Sequence, residues 1–546
     1  MLGRDAIFQS DFNGVRERPA ANVSFQFSPN ENAEYVFETF YNGYRNEGFN
    51  SLLFSFADWW GDYAGMNPTQ AAAAANVVYH PGTNIVKSRS VLHPWVFTSG
   101  DLSTGKTDSM LYAFGGNWQL NEDMALKSEI VYQSSKYESD FFAMRFVRPG
   151  NNYKLNVDFN QNDGMPGFGF EDDPATAAVD ESTMADPSAY LIDGMYDNAN
   201  SDEGDALTFT SDLSYSLAGF FTKLETGVRY DKRGAETYFS RQDRCCGGGL
   251  NVASIEGLAS INSGFMDGKA QVPTSWAVAN GHHIRANADE FRALYGMTKL
   301  GLNRSFDIES TTLSAYVQGK YETELAGRTL DGEIGLRYTG IDTDSMFYQE
   351  TAPGVPQPVT AGDSKTRTLL PSLTLRYELM DDLQMRLAYT ETLRYPSFGD
   401  LNPLIIYNED VTGIGYGTAG GGNPDLKPTE STNYDFALEW YFADSSSLYG
   451  TLFRRDVEGF VVGFRRAVTH DKSATDPTPY KFILSQPYNA SNGDISGAEL
   501  GLVWFPDNLP PVLDGFGVQA SYTVLSSSQT TPDTNSAGDI TGYKDT

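Results

Sequence analysis

The sequence predicts an all-β fold: an antiparallel transmembrane β-barrel with short periplasmic turns and long extracellular loops. Three observations predict it. Tight and long connections alternate between strand-like stretches, the stretches themselves alternate apolar and polar residues, and no membrane helix is present to compete. No apolar run approaches the ~18 residues such a helix needs, although the chain has 546 residues with 34 Phe, 31 Tyr and 53 Gly. Charged residues make up 20% and mean hydropathy is −0.38. A barrel strand needs no apolar run, because half of its residues face a polar lumen.

The connections come first. Seven are tight and polar: 28–33, 120–123, 216–221, 325–328, 379–382, 443–447 and 506–515. Six longer stretches lie between them, near 45–106, 138–204, 233–304, 341–364, 392–431 and 463–492, and read as irregular. Compact domains rarely hold one structureless connection beyond ~12–15 residues. Six on alternate connections place the loops on one side of a wall.

The strands follow by period. Leu207, Phe209, Leu213 and Tyr215 share a face against Thr208, Thr210, Asp212 and Ser214. Leu224, Val228 and Tyr230 oppose Lys223, Glu225 and Arg229, and Leu330, Ile334, Leu336 and Tyr338 oppose Asp331, Glu333 and Arg337. The same alternation runs through 313–321, 373–389 and 434–440. Charged residues at the polar positions suit a hydrated lumen, and aromatic residues at strand ends suit an interfacial girdle. Ten extended residues, tilted near 45°, reach roughly 23 Å, close to the ~25 Å apolar band of such barrels. Seven turns join fourteen strands. An open sheet cannot span lipid, since each unpaired backbone group costs several kcal/mol there, so these strands must close or be completed by others.

Charge and cysteines bound the rest. A net charge of −32 argues against a nucleic-acid partner. The only cysteines, Cys245 and Cys246, are adjacent and give neither a disulfide framework nor a zinc spacing. The first twenty residues lack the apolar core of a signal peptide, and the last eleven are polar and loop-like, so the chain reads as a fragment.

The stretch LLPSLTLRYELMDDLQMRLAYTETLRYPSFGDLNP (369–403) resembles TonB-dependent receptors, specifically their large proteobacterial subfamily. GGGNPDLKPTESTNYDFALEWYF (420–442) and NASNGDISGAELGLVWFP (489–506) resemble later elements of that family, and 224–234, 314–322 and 330–343 earlier strands. The match is clearest over 205–526. One departure is that the Arg-Pro expected near 394 is interrupted, reading Arg394-Tyr395-Pro396. The resemblance implies a barrel of about 22 strands plugged by an N-terminal domain. Residues 1–546 would then be a partial barrel of about 14 strands without its plug. It further implies a receptor in the outer membrane of a Gram-negative bacterium. Such a receptor takes up a scarce ligand actively, with TonB and its inner-membrane energising complex as partners. The subfamily points toward a glycan or oligosaccharide, and less toward a ferric siderophore. The rival reading is a passive porin closed by fourteen strands.

Enzyme readings are weak. Residues 100–107 fit a P-loop by letter, but Met110, Tyr112 and Phe114 then alternate as a strand where a helix is needed. The Gly415-x-Gly417-x-x-Gly420 match sits in a Gly-rich loop with no helix after it. The histidines show no metal spacing, and the acidic clusters at 171–173 and 202–205 read as solvated loops. No catalytic residue, metal or cofactor is assigned. In Asn423-Pro424-Asp425-Leu426-Lys427-Pro428 the prolines fix φ, and Asn and Asp favour turns, which reads as structural. The ligand-binding candidates are Trp59, Trp60, Tyr63 and Trp95 in the first long loop, and Arg229, Arg337, Arg394 and Glu439 on the lumen side. Flat aromatic faces beside hydrogen-bonding groups suit sugar rings.

Overall fold

In the computed structural model, the residues described are 4 and 6–545, apart from 58–76, 93, 149–152, 162–164, 173–183, 246–248, 353–354, 410–414, 474–475, 507–508 and 536–539. One long antiparallel wall dominates. In chain order it runs Ala6–Glu17 continued by Ala20–Asn30, then Ala33–Phe56, Val96–Gln119, Met124–Val147, Leu191–Ser216, Phe221–Arg244 and Asn303–Leu325. Arg328–Ala352, Val355–Met380, Leu383–Arg394, Thr429–Ala443, Ser446–Ser473, Asp476–Trp504 and Val518–Thr534 follow, and the short Ile540–Asp545 pairs with the end of the last. Each pairs antiparallel with the next, giving fourteen strand positions joined by the seven tight turns. Among the described residues no pairing joins 6–30 to 518–534.

Most of the strands are far longer than ten residues. Val96–Gln119 has 24 and Asp476–Trp504 has 29. At ~3.3 Å per residue and a tilt near 45°, 24 residues rise roughly 55 Å, about twice the ~25 Å apolar band. The excess stands clear of the membrane on the loop side. Two stretches expected to be irregular are part of it. Residues 341–352 pair with 355–366, and 463–473 with 476–487, extending the wall as hairpins.

Register lines up the apolar face near the turns. Phe25 pairs with Phe37, which pairs with Phe114, and the row continues through Ile130, Phe209, Tyr230 and Leu313. Every one of these side chains is exposed. Farther round, Leu373, Tyr389 and Tyr434 form a second row, and Leu387, Phe436 and Leu452 a third. A belt this large is untenable in water and natural against lipid tails. Its turn-side rim is aromatic with polar handles: the Trp118 indole donates to the Tyr35 hydroxyl at 3.3 Å, and that of Trp440 to Asp382 at 2.8 Å. Such rings settle at the headgroup level.

Beyond the belt the same face is covered by a cap. Its parts are a four-stranded sheet (Val78–Tyr79, Val86–Leu92, Tyr153–Gln161, Met165–Asp172), the hairpin Ala259–Ser263 with Ser275–Ala279, and helices Gly281–Ala286 and Ala288–Leu294. Trp276, Ile284 and Phe291 in the cap are buried, as are Tyr190 just ahead of the 191–216 strand and Leu53, Leu102, Phe142, Met144, Phe146 and Met195 on the wall. Gly100 permits the approach: a Cβ there would lie 1.8 Å from the Ala279 carbonyl oxygen. Arg292 grips Asp197 on the wall through two bonds, at 2.6 and 3.1 Å, with both side chains buried.

One sequence expectation changes here. Asp202, Glu203 and Asp205 are not in a solvated loop but on the 191–216 strand. There Thr237 donates to Asp202 and Lys136 pairs with Glu203. His282 lies 3.6 Å from Glu47, and His283 packs its ring against Phe291. The P-loop letters of 100–107 lie wholly within a strand. Cys245 is exposed, and Cys246 lies outside the described residues.

Candidate lumen and mouth site

The opposite face of the wall is polar, and two places on it are built for contact. The first is a cavity of about 890 Å³ against strands 221–244 to 383–394. Because Val228, Leu313, Leu336, Leu373 and Tyr389 point to the belt, their neighbours must point the other way. Those neighbours are mostly hydroxyls: Ser310, Thr312, Ser314, Thr339, Thr343, Thr366, Ser372, Thr390 and Thr392. Some meet across strands, Ser314 with Thr339 at 3.0 Å and Ser310 with Thr343 at 3.1 Å. Tyr395, Pro396, Phe398, Leu426 and Pro428 add a rim from the 395–428 connection.

Charge at this cavity is partly paired, with Arg229, Arg233 and Arg337 in its lining against Asp231 and Glu391. Asp231 accepts from Thr208, pairs with Arg233 at 2.7 Å and lies 3.8 Å from Arg229. The Arg337 guanidinium sits 5.4 Å from the Tyr316 ring centre, and the Tyr316 hydroxyl donates to Asp212 at 2.8 Å.

The rim is held by residues distant in sequence. Asn489 accepts from the Lys427 amide at 2.7 Å and donates to the Lys427 and Gly459 carbonyls at 2.9 and 2.8 Å. Asn423 donates to the Pro487 carbonyl at 3.0 Å, and its own side chain accepts from the Asp425 amide at 3.0 Å. Gly459, at φ 69°, donates its amide N–H to the Asn492 side-chain oxygen at 3.0 Å. The 423–428 and 489–493 elements therefore brace one another.

The second place is an aromatic cluster at the distal mouth. Phe54 stacks on Phe97 with centroids 4.8 Å apart, and Trp95 approaches Phe97 at 4.9 Å and Phe56 at 5.7 Å. Arg145 lies between two rings, 4.5 Å from Phe97 and 4.8 Å from Tyr196. Such a sandwich keeps the guanidinium planar and in place.

The structure thus brings together Arg229 and Arg337 at the cavity and places Trp95 in the mouth cluster. Arg394 is exposed at the end of its strand and does not line the cavity. Glu439 belongs to the turn end, where Arg386 at 3.0 Å, Tyr441 at 3.0 Å and Gln384 already occupy it. Trp59, Trp60 and Tyr63 lie outside the described residues. Sequence reading missed the hydroxyl wall, though the phase of each strand carries it. It also missed the Arg145–Tyr196 pair, which depends on register between strands 124–147 and 191–216 and leaves no local signal. Among the described residues no cluster of metal-ligating side chains occurs.

A family model described as the TonB dependent receptor-like β-barrel matches residues 35–544. No curated protein matches the chain in sequence. Similar solved structures include the siderophore receptor PiuA from Acinetobacter baumannii. It is 12% identical at TM-score 0.42, with 98% of this chain and 66% of that one covered. The ferric-catecholate import receptor Fiu from E. coli K12 is 11% identical at TM-score 0.42, covering 97% and 69%. The copper transporter OprC is 13% identical at TM-score 0.33, covering 97% and 67%. The chain spans about two thirds of the length of these proteins. With the family matched over nearly its whole length, this chain belongs to the TonB-dependent receptors of the Gram-negative outer membrane, as their β-barrel.

Proposed function

We propose that the chain is the wall of a receptor that actively takes up a neutral, hydroxyl-rich ligand such as an oligosaccharide. TonB does the work through the plug of the whole receptor. The lumen cavity carries the reading. Its lining carries a run of Ser and Thr hydroxyls, and Asp231 pairs with Arg233 and lies near Arg229. Hydroxyls donate and accept alike, so they match sugar hydroxyls in either sense. The −32 net charge disfavours anionic ligands. The mouth cluster supports the same ligand, since its rings supply flat apolar faces for a sugar ring to lie against. Trp95 would receive the ligand, and the hydroxyl wall would pass it inward.

The gene deletion separates the ligand classes. Uptake of labelled oligosaccharides is expected to fall, while growth under iron limitation with ferric siderophores stays normal. The opposite result transfers the site to a siderophore. Thr339→Val in the whole receptor is expected to leave assembly intact and weaken oligosaccharide uptake by about tenfold, the scale of one lost hydrogen bond. Steady ion conductance through the purified receptor in a bilayer, with uptake independent of TonB, would instead support the passive channel.

A further inference from the structure

Six of the seven turns are short, such as Glu31-Asn32 and Asp381-Asp382. The seventh, between Trp504 and Val518, is longer than the sequence reading predicts, and carries Leu509, Val512, Leu513 and Phe516 beside Asp507, Asn508 and Asp514. Pro510 and Pro511 open a single 3₁₀ turn whose cap bonds run from Leu513 to the Pro510 carbonyl at 2.7 Å and from Phe516 to that of Leu513 at 3.0 Å. This rigid turn presents Val512, 93% exposed, with Leu513 and Phe516 also exposed. No side chain of the wall covers Val512 at that exposure.

We infer that the 509–516 turn is an interfacial anchor, seated in the headgroup and upper acyl region of the periplasmic leaflet. Continuity argues for lipid as the occupant. Trp504 and Val518 are register partners at the foot of the wall, Trp504 is itself exposed, and on the same face Leu502 with Ala520 and then Leu500 with Tyr522 follow above them. The apolar surface therefore runs without a break from belt to turn. Amphipathic turns of this kind bind by buried apolar area, with aromatic rings at the boundary. The two prolines hold the shape before contact, so little ordering entropy opposes insertion.

The inference rests on the membrane reading of the belt, and the test separates the two. Val512→Cys, Leu438→Cys and Asp381→Cys are each made in the whole receptor with Cys245 and Cys246 replaced by Ser. Each is labelled with an environment-sensitive dye and reconstituted into phosphatidylcholine vesicles carrying spin-labelled acyl chains. The expected result is quenching at 512 within about a factor of two of that at 438, with 381 accessible only to aqueous iodide. Quenching at 438 without quenching at 512 overturns the anchor and leaves the belt standing. Absence of quenching at 438 overturns the belt itself. Protection of 512 from both quenchers means that protein covers the turn, which also overturns the proposal.

Discussion

Leu102 and Phe114 lie on one strand and on one face of it, yet Leu102 is 1% exposed and Phe114 51%. Phe142 and Ile130 repeat the contrast on the next strand, at 6% and 45%. Alternation is the same in both halves, and only the neighbour differs. Near the turns the apolar face meets lipid, which tolerates any apolar shape. Beyond the membrane the same face meets water unless protein covers it, and there the cap supplies a close-packed core. The two halves should therefore fail in different ways when mutated.

The largest effect is expected in the cap. Trp276→Ala removes a fully buried ring and should cost about 3–5 kcal/mol. The cap should become protease-sensitive while the wall stays assembled, and an unchanged cleavage pattern would end the comparison. Arg292→Met should cost a similar ~3–5 kcal/mol, because it leaves the buried Asp197 carboxylate without its charged partner. The double change with Asp197→Leu should recover most of that loss, measured as the urea midpoint of cap opening.

The belt should respond to charge more than to shape. Ile130→Arg is expected to cost about 2–4 kcal/mol in a bilayer. Ile130→Val should be nearly silent there, whereas Met144→Ala on the next stretch of the same face should not. Equal sensitivity of positions 130 and 144 to small truncations would show that protein covers both. The smallest effect is at the rim. Asn489→Ala removes three hydrogen bonds to loop backbone, and should cost about 1–3 kcal/mol by leaving the Lys427 amide unsatisfied. Faster amide exchange over 423–428, with the wall unchanged, is the expected readout.

Much of the wall was legible in particular residues. Turns such as Leu379-Met380-Asp381-Asp382 announce themselves through local chemistry, and Leu373, Leu375 and Tyr377 set the phase of their strand without reference to any partner. Strand length was not legible. Residues 341–364 and 463–492 contain Pro, Gly and polar runs that read as loops, yet backbone pairing carries them as hairpins above the membrane. The site divided in the same way. Arg229 and Arg337 could be placed on the lumen face by phase alone, while Glu439 shares that face but is occupied at the turn end by Arg386, Gln384 and Tyr441.

By itself the sequence determined that the chain is a strand-and-turn wall, which face of each strand is apolar, and which connections are short. These follow from the two-residue period and from turn propensities, both of which act within a few residues. Only the tertiary structure decided where along each strand lipid gives way to a protein cap, and which lumen groups stand together. Those depend on register and on loops such as 250–297 folding back onto Leu102 and Phe142, contacts between residues a hundred or more positions apart. No local pattern encodes them, because an apolar side chain looks the same whether its neighbour is an acyl chain or Trp276.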